Sequence, residues 1–184
     1  MTVSETASSI SASDYLKGEQ DGQARHEYVA GRAYAITGGS VYHNRINLAF
    51  AAVLREKLSG RPCDVFMADM KVQTRQAFYY PDIMVVCDAT DRDPYTKTRP
   101  QLIAEIVSAN TRSIDEREKR AAYLELDSLR EYVLVEQDRP ELRVIQGDAH
   151  GGWRETLCGP DDLIRLPSLG LDIAMQHLYE GAWR

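Results

Sequence analysis

Two short stretches constrain this 184-residue chain more than anything else in it. Ile83-Met84-Val85-Val86 and Leu102-Ile103-Ala104-Glu105-Ile106-Val107 are apolar runs without the polar alternation of a half-exposed strand. That pattern belongs to strands buried on both faces. Such strands need a layer on either side. Residues 41–58 supply one: Ile46, Ala49, Phe50, Val53, Leu54 and Leu58 recur at helical spacing, and Ser59-Gly60-Arg61-Pro62 ends the helix. Helices interrupting strands give an α/β chain of the mixed α+β kind.

The remaining segments fit that class. Residues 1–12 read as a disordered tail and residues 13–184 as one domain, with no internal repeat. Ser13 is placed to cap a short helix starting at Asp14-Tyr15-Leu16. Residues 26–37, HEYVAGRAYAIT, read as a hairpin turning at Ala30-Gly31-Arg32, and Gly38-Gly39-Ser40 breaks the chain. Strands are expected over 64–73, 78–87 and 102–107, with a polar, nearly neutral loop over 88–100. Ser113-Ile114-Asp115-Glu116 has capping-box form and should start a helix reaching Leu126. Three short strands follow at 131–136, 141–145 and 153–157, then a Pro167-Ser168-Leu169-Gly170 turn and a short helix. Tyr79, Tyr80, Tyr95 and Trp153 read as packing residues.

Charge and cysteine content exclude some functions. The net charge is −6, and the excess lies after residue 120, where twelve acids face six arginines and no lysine. That argues against a generic polyanion binder. No apolar run approaches the roughly 18 residues of a membrane span, and the first residues lack a secretory signal. Cys63, Cys87 and Cys158 are odd in number and far apart, which points to reduced structural thiols in a cytoplasmic protein.

The residues that stand out chemically are the acids of the two apolar runs. Asp82 opens the first and Glu105 sits inside the second. A carboxylate among buried apolar residues costs several kcal/mol unless it is paired or binds metal. Two such acids on adjacent strands can share a hard divalent cation, Mg²⁺ or Mn²⁺. The alternative is that they sit at strand ends, solvated or paired with arginine. Removing Asp82 is expected to relieve carboxylate repulsion and so stabilise the metal-free fold. Lys119 lies on the face of the 113–126 helix that also carries Asp115, Ala122 or Tyr123, and Leu126. It can reach a strand end, snorkel to solvent or pair with Asp115.

Taken together, several segments resemble a bacterial family of restriction-endonuclease-like proteins, the Uma-two family, within the PD-(D/E)XK nuclease superfamily. They are Tyr80-Pro81-Asp82 through Val86, Glu105 through Ser108, Thr111 to Tyr123, and Glu131 through Val135. Upstream, His26-Glu27-Tyr28 to Gly31-Arg32 resembles the family's hairpin, and Gly38-Gly39 to His43 its helix entry. The likeness spans roughly residues 13–173.

The resemblance implies a mixed central sheet flanked by helices, and phosphodiester hydrolysis of nucleic acid, DNA foremost, with Mg²⁺ or Mn²⁺. Asp82 matches the Asp of the motif and Glu105 its second acid; both are the implied metal ligands. The superfamily lysine belongs two residues after that acid, where this chain has Val107, and Lys119 matches the family's substitute. Its ammonium is expected within roughly 4–6 Å of both carboxylates, where opposite charges couple. Glu27 and His43 match as accessory positions. A homodimer is expected, since symmetric dimers are the commonest soluble oligomers, with residues 131–157 as its interface or edge. The competing reading is a catalytically inert module that keeps the nuclease fold.

Overall fold

The computed structural model describes residues 9–184 apart from Asn110 and Ala149. Of the expected tail, residues 1–8 lie outside the described residues. Ile10 is tied down: its N–H donates to Gly31 O at 2.9 Å.

Helix α1 (Ala12–Asp21) is capped by Ser11 rather than Ser13; the Ser11 hydroxyl accepts from Asp14 N. Its Glu19 is buried and accepts from His26 N at 2.8 Å and Tyr80 Oη at 3.0 Å, which fixes the following hairpin. That hairpin is β1 (His26–Val29) and β2 (Arg32–Ala35). Its turn residues Ala30 (φ 46°) and Gly31 (φ 90°) both have positive φ, the conformation a two-residue hairpin requires. Helix α2 (Val41–Lys57) follows, capped by Ser40.

The expected strand over 64–73 is two strands, β3 (Asp64–Met67) and β4 (Lys71–Gln73), and that over 78–87 is β5 (Ala77–Tyr79) and β6 (Ile83–Val86). In each case the chain crosses between sheets, at Ala68 and at Pro81-Asp82. The 88–100 loop contributes β7 (Thr96–Lys97), and β8 (Leu102–Val107) lies as expected.

The next segment departs from expectation. Ser113 already has helical angles (φ −64°, ψ −34°) and its side chain caps nothing. Ile114–Lys119 is a π-helical turn, and α3 (Arg120–Leu124) continues it. The capping box fails because Glu116 turns away to Arg112, at 3.0 Å, and to Arg143.

Strands β9 (Glu131–Glu136), β10 (Leu142–Gly147) and β11 (Trp153–Cys158) match expectation. The Pro167–Gly170 turn joins two strands that four-residue patterns did not reveal, β12 (Leu163–Leu166) and β13 (Leu171–Ala174), before α4 (Gln176–Tyr179).

The main sheet has the order β11-β10-β9-β8-β6-β3, antiparallel except for the parallel pair β8–β9. A second sheet runs β2-β1-β5-β4-β7. Alternation along β8 explains its continuous apolar run. Leu102, Ala104 and Ile106 join Ile46, Phe50 and Leu54 of α2 in one core. Ile103 and Val107 point the other way, into a core with Tyr79, Tyr123 and Tyr132. Glu105 shares that second face, since it lies between Ile103 and Val107 in the alternation.

Two expectations about side chains are corrected. Cys63 and Cys87 form a disulfide, with Cα atoms 4.0 Å apart, and only Cys158 is a free, buried thiol. The register Asp64↔Val86 puts the next residues outward, Cys63 and Cys87, directly opposite each other. A sequence separation of 24 conceals that contact. The cysteine argument for a cytoplasmic protein falls with it. Tyr95 is 58% exposed and packs no core. Among the described residues, no helix is long and apolar enough to cross a membrane.

Candidate active site

The register of β6 on β8 builds the site. Ile83 pairs with Ala104, so the next residues, Asp82 and Glu105, meet where the pairing ends. Asp82 N donates to Glu105 Oε2 at 3.3 Å. Ile106 N, beyond the reach of β6, donates instead to Asp82 Oδ2 at 2.7 Å. The Asp82 carboxylate thus replaces a missing strand partner, which reverses the stability effect expected of its removal: Asp82→Ala orphans a buried backbone N–H.

The first turn of α2 supplies His43, whose Nε2 is 3.1 Å from Asp82 Oδ2. Gly39 makes this possible, because a Cβ there would lie 2.7 Å from His43 Nδ1. Burial alone would lower the His43 pKa, but the hydrogen bond and charge of Asp82 outweigh it and the net shift is upward.

Lys119 lies where the resemblance places it with respect to Glu105, and it sits among more acids than expected. Its Nζ is 3.2 Å from Glu105 Oε1, 3.1 Å from Glu27 Oε1 and 3.6 Å from Asp115 Oδ1. No ion pair joins it to Asp82, which His43 and Ile106 hold instead. Burial would lower the lysine's pKa, yet Glu105, Glu27 and Asp115 overcome it and the ammonium keeps its proton. The π-helical turn brings Asp115 and Lys119 inward together, and Tyr132 Oη holds that turn through Asp115 O at 3.0 Å.

Glu27 enters from β1 and also accepts from Tyr80 N at 3.2 Å, next to the Pro81-Asp82 corner. Tyr123 Oη donates to Glu105 Oε1 at 2.9 Å. Burial pushes the Glu105 carboxyl well up; Asp82, Asp115 and Glu27 add to that, and Lys119 opposes it. Asp115 is raised in the same way, first by burial.

All five expected residues, Asp82, Glu105, Lys119, Glu27 and His43, therefore converge. Sequence reasoning missed two members. Asp115 is visible as the i−4 neighbour of Lys119 and within the segment that carries the resemblance, but the sequence gives it no role beyond that of a partner for the lysine. Tyr123 closes the segment that carries the resemblance, but its sequence neighbours do not show that its hydroxyl reaches Glu105.

Four carboxylates here face one ammonium and one imidazole. Excess buried negative charge on hard oxygen donors fits Mg²⁺ or Mn²⁺. Among the described residues, no group of three or more His, Cys, Asp or Glu side chains is placed to hold a metal ion, so the acids that could share one are the pair Asp82 and Glu105.

Comparison with known proteins agrees with this architecture. A solved structure from Anabaena variabilis, described as a "putative nuclease belonging to DUF820", superposes with a TM-score of 0.72 at 16% identity, covering 88% of this chain and 93% of that one. The fold is therefore a mixed α+β fold shared with that structure. Residues 12–176 match the Uma2 family model, described as "Putative restriction endonuclease", and the chain belongs to that family. Two relatives come from Synechocystis sp., both uncharacterized. The protein slr1290 is 30% identical over 94% of this chain and 92% of its own length. The protein sll1609 is 30% identical over 74% of this chain and 80% of its own.

Proposed function

We propose that this protein is a metal-dependent nuclease hydrolysing phosphodiester bonds in nucleic acid, DNA foremost. The observation that carries the reading is the meeting of Asp82 and Glu105 at the end of β6 and β8, with Lys119 Nζ 3.2 Å from Glu105 Oε1. Asp82 and Glu105 are the residues that would hold Mg²⁺ or Mn²⁺. Bound there, the ion supplies positive charge to the phosphate and lowers the pKa of a water.

The chain's own residues do the rest. Lys119 remains an ammonium and meets charge developing on the phosphate, or orients the attacking water. His43 fixes the Asp82 carboxylate. Glu27, from β1, holds the Lys119 ammonium together with its helix partner Asp115.

A second reading is an inert binding module on the same fold. The three ion pairs of Lys119 favour it, because they close the cluster as a structural network does. A cleavage assay separates the two. Wild type with Mg²⁺ or Mn²⁺ should cut single-stranded or duplex DNA, and EDTA, Asp82→Asn and Glu105→Gln should each abolish cutting. Failure to cut any DNA or RNA with either metal leaves the inert module.

The active form in this proposal is a homodimer. Strand β11 is the outer strand of the main sheet, and its Leu157 is 60% exposed. Light scattering should give twice the chain mass at micromolar concentration; a clean monomer ends the proposal.

A further inference from the structure

Glu116 and Arg120 stand four residues apart, acid first, the order and spacing at which the two would pair across a regular α-helical turn. Here the sheet engages both instead. Arg143 on β10 binds the Glu116 carboxylate through Nη2 and reaches Glu155 of β11 through Nη1, at 3.6 Å. Glu155 in turn lies 2.9 Å from Arg120 Nη1. Arg143 therefore spans the π-helical turn, one arm on Glu116 and the other, through Glu155, on Arg120. The backbone agrees. Arg120 N–H donates to Asp115 O, five residues back, and Tyr132 Oη donates to the same carbonyl at 3.0 Å.

We propose that Arg143 is a positioning residue for Lys119: it keeps this turn wide, and the wide turn lets Asp115, Lys119 and Tyr123 face the Glu105 cluster together. The inference rests on the nuclease reading for what Lys119 does there. At 3.6 residues per turn, side chains four apart on an α-helix drift by about 40°. Two such steps, from Asp115 through Lys119 to Tyr123, would drift by about 80° and carry one end off the cluster. A π turn holds more residues per turn, so its step drifts the other way and cancels the α-helical one. The result is visible in the side chains. All three are buried, and Lys119 Nζ and Tyr123 Oη meet the same Glu105 Oε1, at 3.2 and 2.9 Å. A turn relaxed to α-helix would gain a Glu116–Arg120 ion pair of its own. Arg143 and Glu155 deny it that pair by holding both partners from the sheet.

The test is amine acylation of the whole protein, read lysine by lysine by mass spectrometry. Lys17 and Lys57 are exposed and report the reagent. Lys97 is buried and donates to Asp91 O and Asp93 O, so it reports general loosening. Lys119 should be protected in wild type and acylate about ten-fold faster in Arg143→Met and in Glu116→Ala, with Lys97 unchanged. Arg143→Met keeps an apolar stem in place of the arginine's. Glu116→Ala breaks the same grip from the helix, and it decides alone if Arg143→Met does not fold. Wild-type protection of Lys119 in a folded variant overturns the proposal. So does a rise at Lys97 that matches the rise at Lys119 in Glu116→Ala, which would mean loosening of the whole fold. The two readings part cleanly. Selective release of Lys119 in a protein that cuts no DNA keeps this inference and removes the nuclease. Release with cleavage unchanged keeps the positioning and removes Lys119 from the nuclease reading. Cleavage by wild type, with Lys119 protected in the variants, removes this inference alone.

Discussion

Lys119 Nζ and Glu105 Oε1 stand 3.2 Å apart, although the lysine comes from the helix after β8 and not from β8 itself. Val107, two residues beyond Glu105, shares its strand face and is 1% exposed in an apolar core. The ammonium thus reaches the acid from above the sheet, while the strand position that would otherwise supply it is given to packing.

Lys119→Ala should therefore abolish cleavage while metal binding persists, because the lysine is not a ligand. Titration calorimetry with Mn²⁺ and a cleavage assay read the two effects separately. Adding Val107→Lys to Lys119→Ala should restore part of the activity from the same strand face. Full activity in Lys119→Ala removes the assignment.

Asp82→Ala and Asp82→Asn should differ in stability. The alanine leaves Ile106 N–H without its 2.7 Å partner, a loss of about 1–3 kcal/mol. The asparagine keeps an oxygen acceptor there and removes a charge from a carboxylate-rich cluster. Chemical denaturation should rank asparagine well above alanine, and both should lose Mn²⁺ affinity. Equal stability of the two variants would mean that the Ile106 hydrogen bond contributes nothing.

How far the sequence carries the fold depends on whether local pattern or distant contact decides each element. The apolar runs at 83–86 and 102–107 and the helical spacing of 41–58 are local, and all three elements appear. Asp82 and Glu105 were legible because a carboxylate among those runs violates the pattern. The changes of sheet at Ala68 and Pro81-Asp82 were not, because strands on either side carry the same β signal. The π-helical turn was hidden for a related reason: Ser113 and Glu116 fit a capping box, and only the distant Arg143 shows why Glu116 is engaged elsewhere.

The Cys63–Cys87 link should add stability that a reductant removes. It closes a loop over a sequence separation of 24, for which constraint of the unfolded chain gives about 2–4 kcal/mol. Thiol titration of the unfolded, unreduced protein should find one reactive thiol, Cys158. Three thiols would show that the bond does not form.

The cluster also sets how stability depends on pH, and its sign is opposite to that of an ordinary salt-bridged carboxylate. Glu105 and Asp115 are raised by burial and then by neighbouring carboxylates. A carboxyl with a raised folded pKa holds more protons folded than unfolded between the two values, so stability falls as pH rises through that window. His43 is raised against the pull of burial by Asp82. Its contribution is complete below its ordinary 6.5 and is lost as pH climbs through the folded value. The three groups act together. Glu116 works the other way: burial raises it, but Arg143 and Arg112 hold it below its ordinary 4.5, so its contribution fails only in more acidic solution. In EDTA the protein should melt at a higher temperature near pH ~5.5 than near pH ~8, and Glu105→Gln should flatten that slope. Saturating Mg²⁺ should raise the melting temperature most at the alkaline end, since the cation competes with protons for the same carboxylates. A metal-free melting temperature that climbs steadily from pH ~5.5 to ~8 would show that the cluster is not a store of uncompensated negative charge.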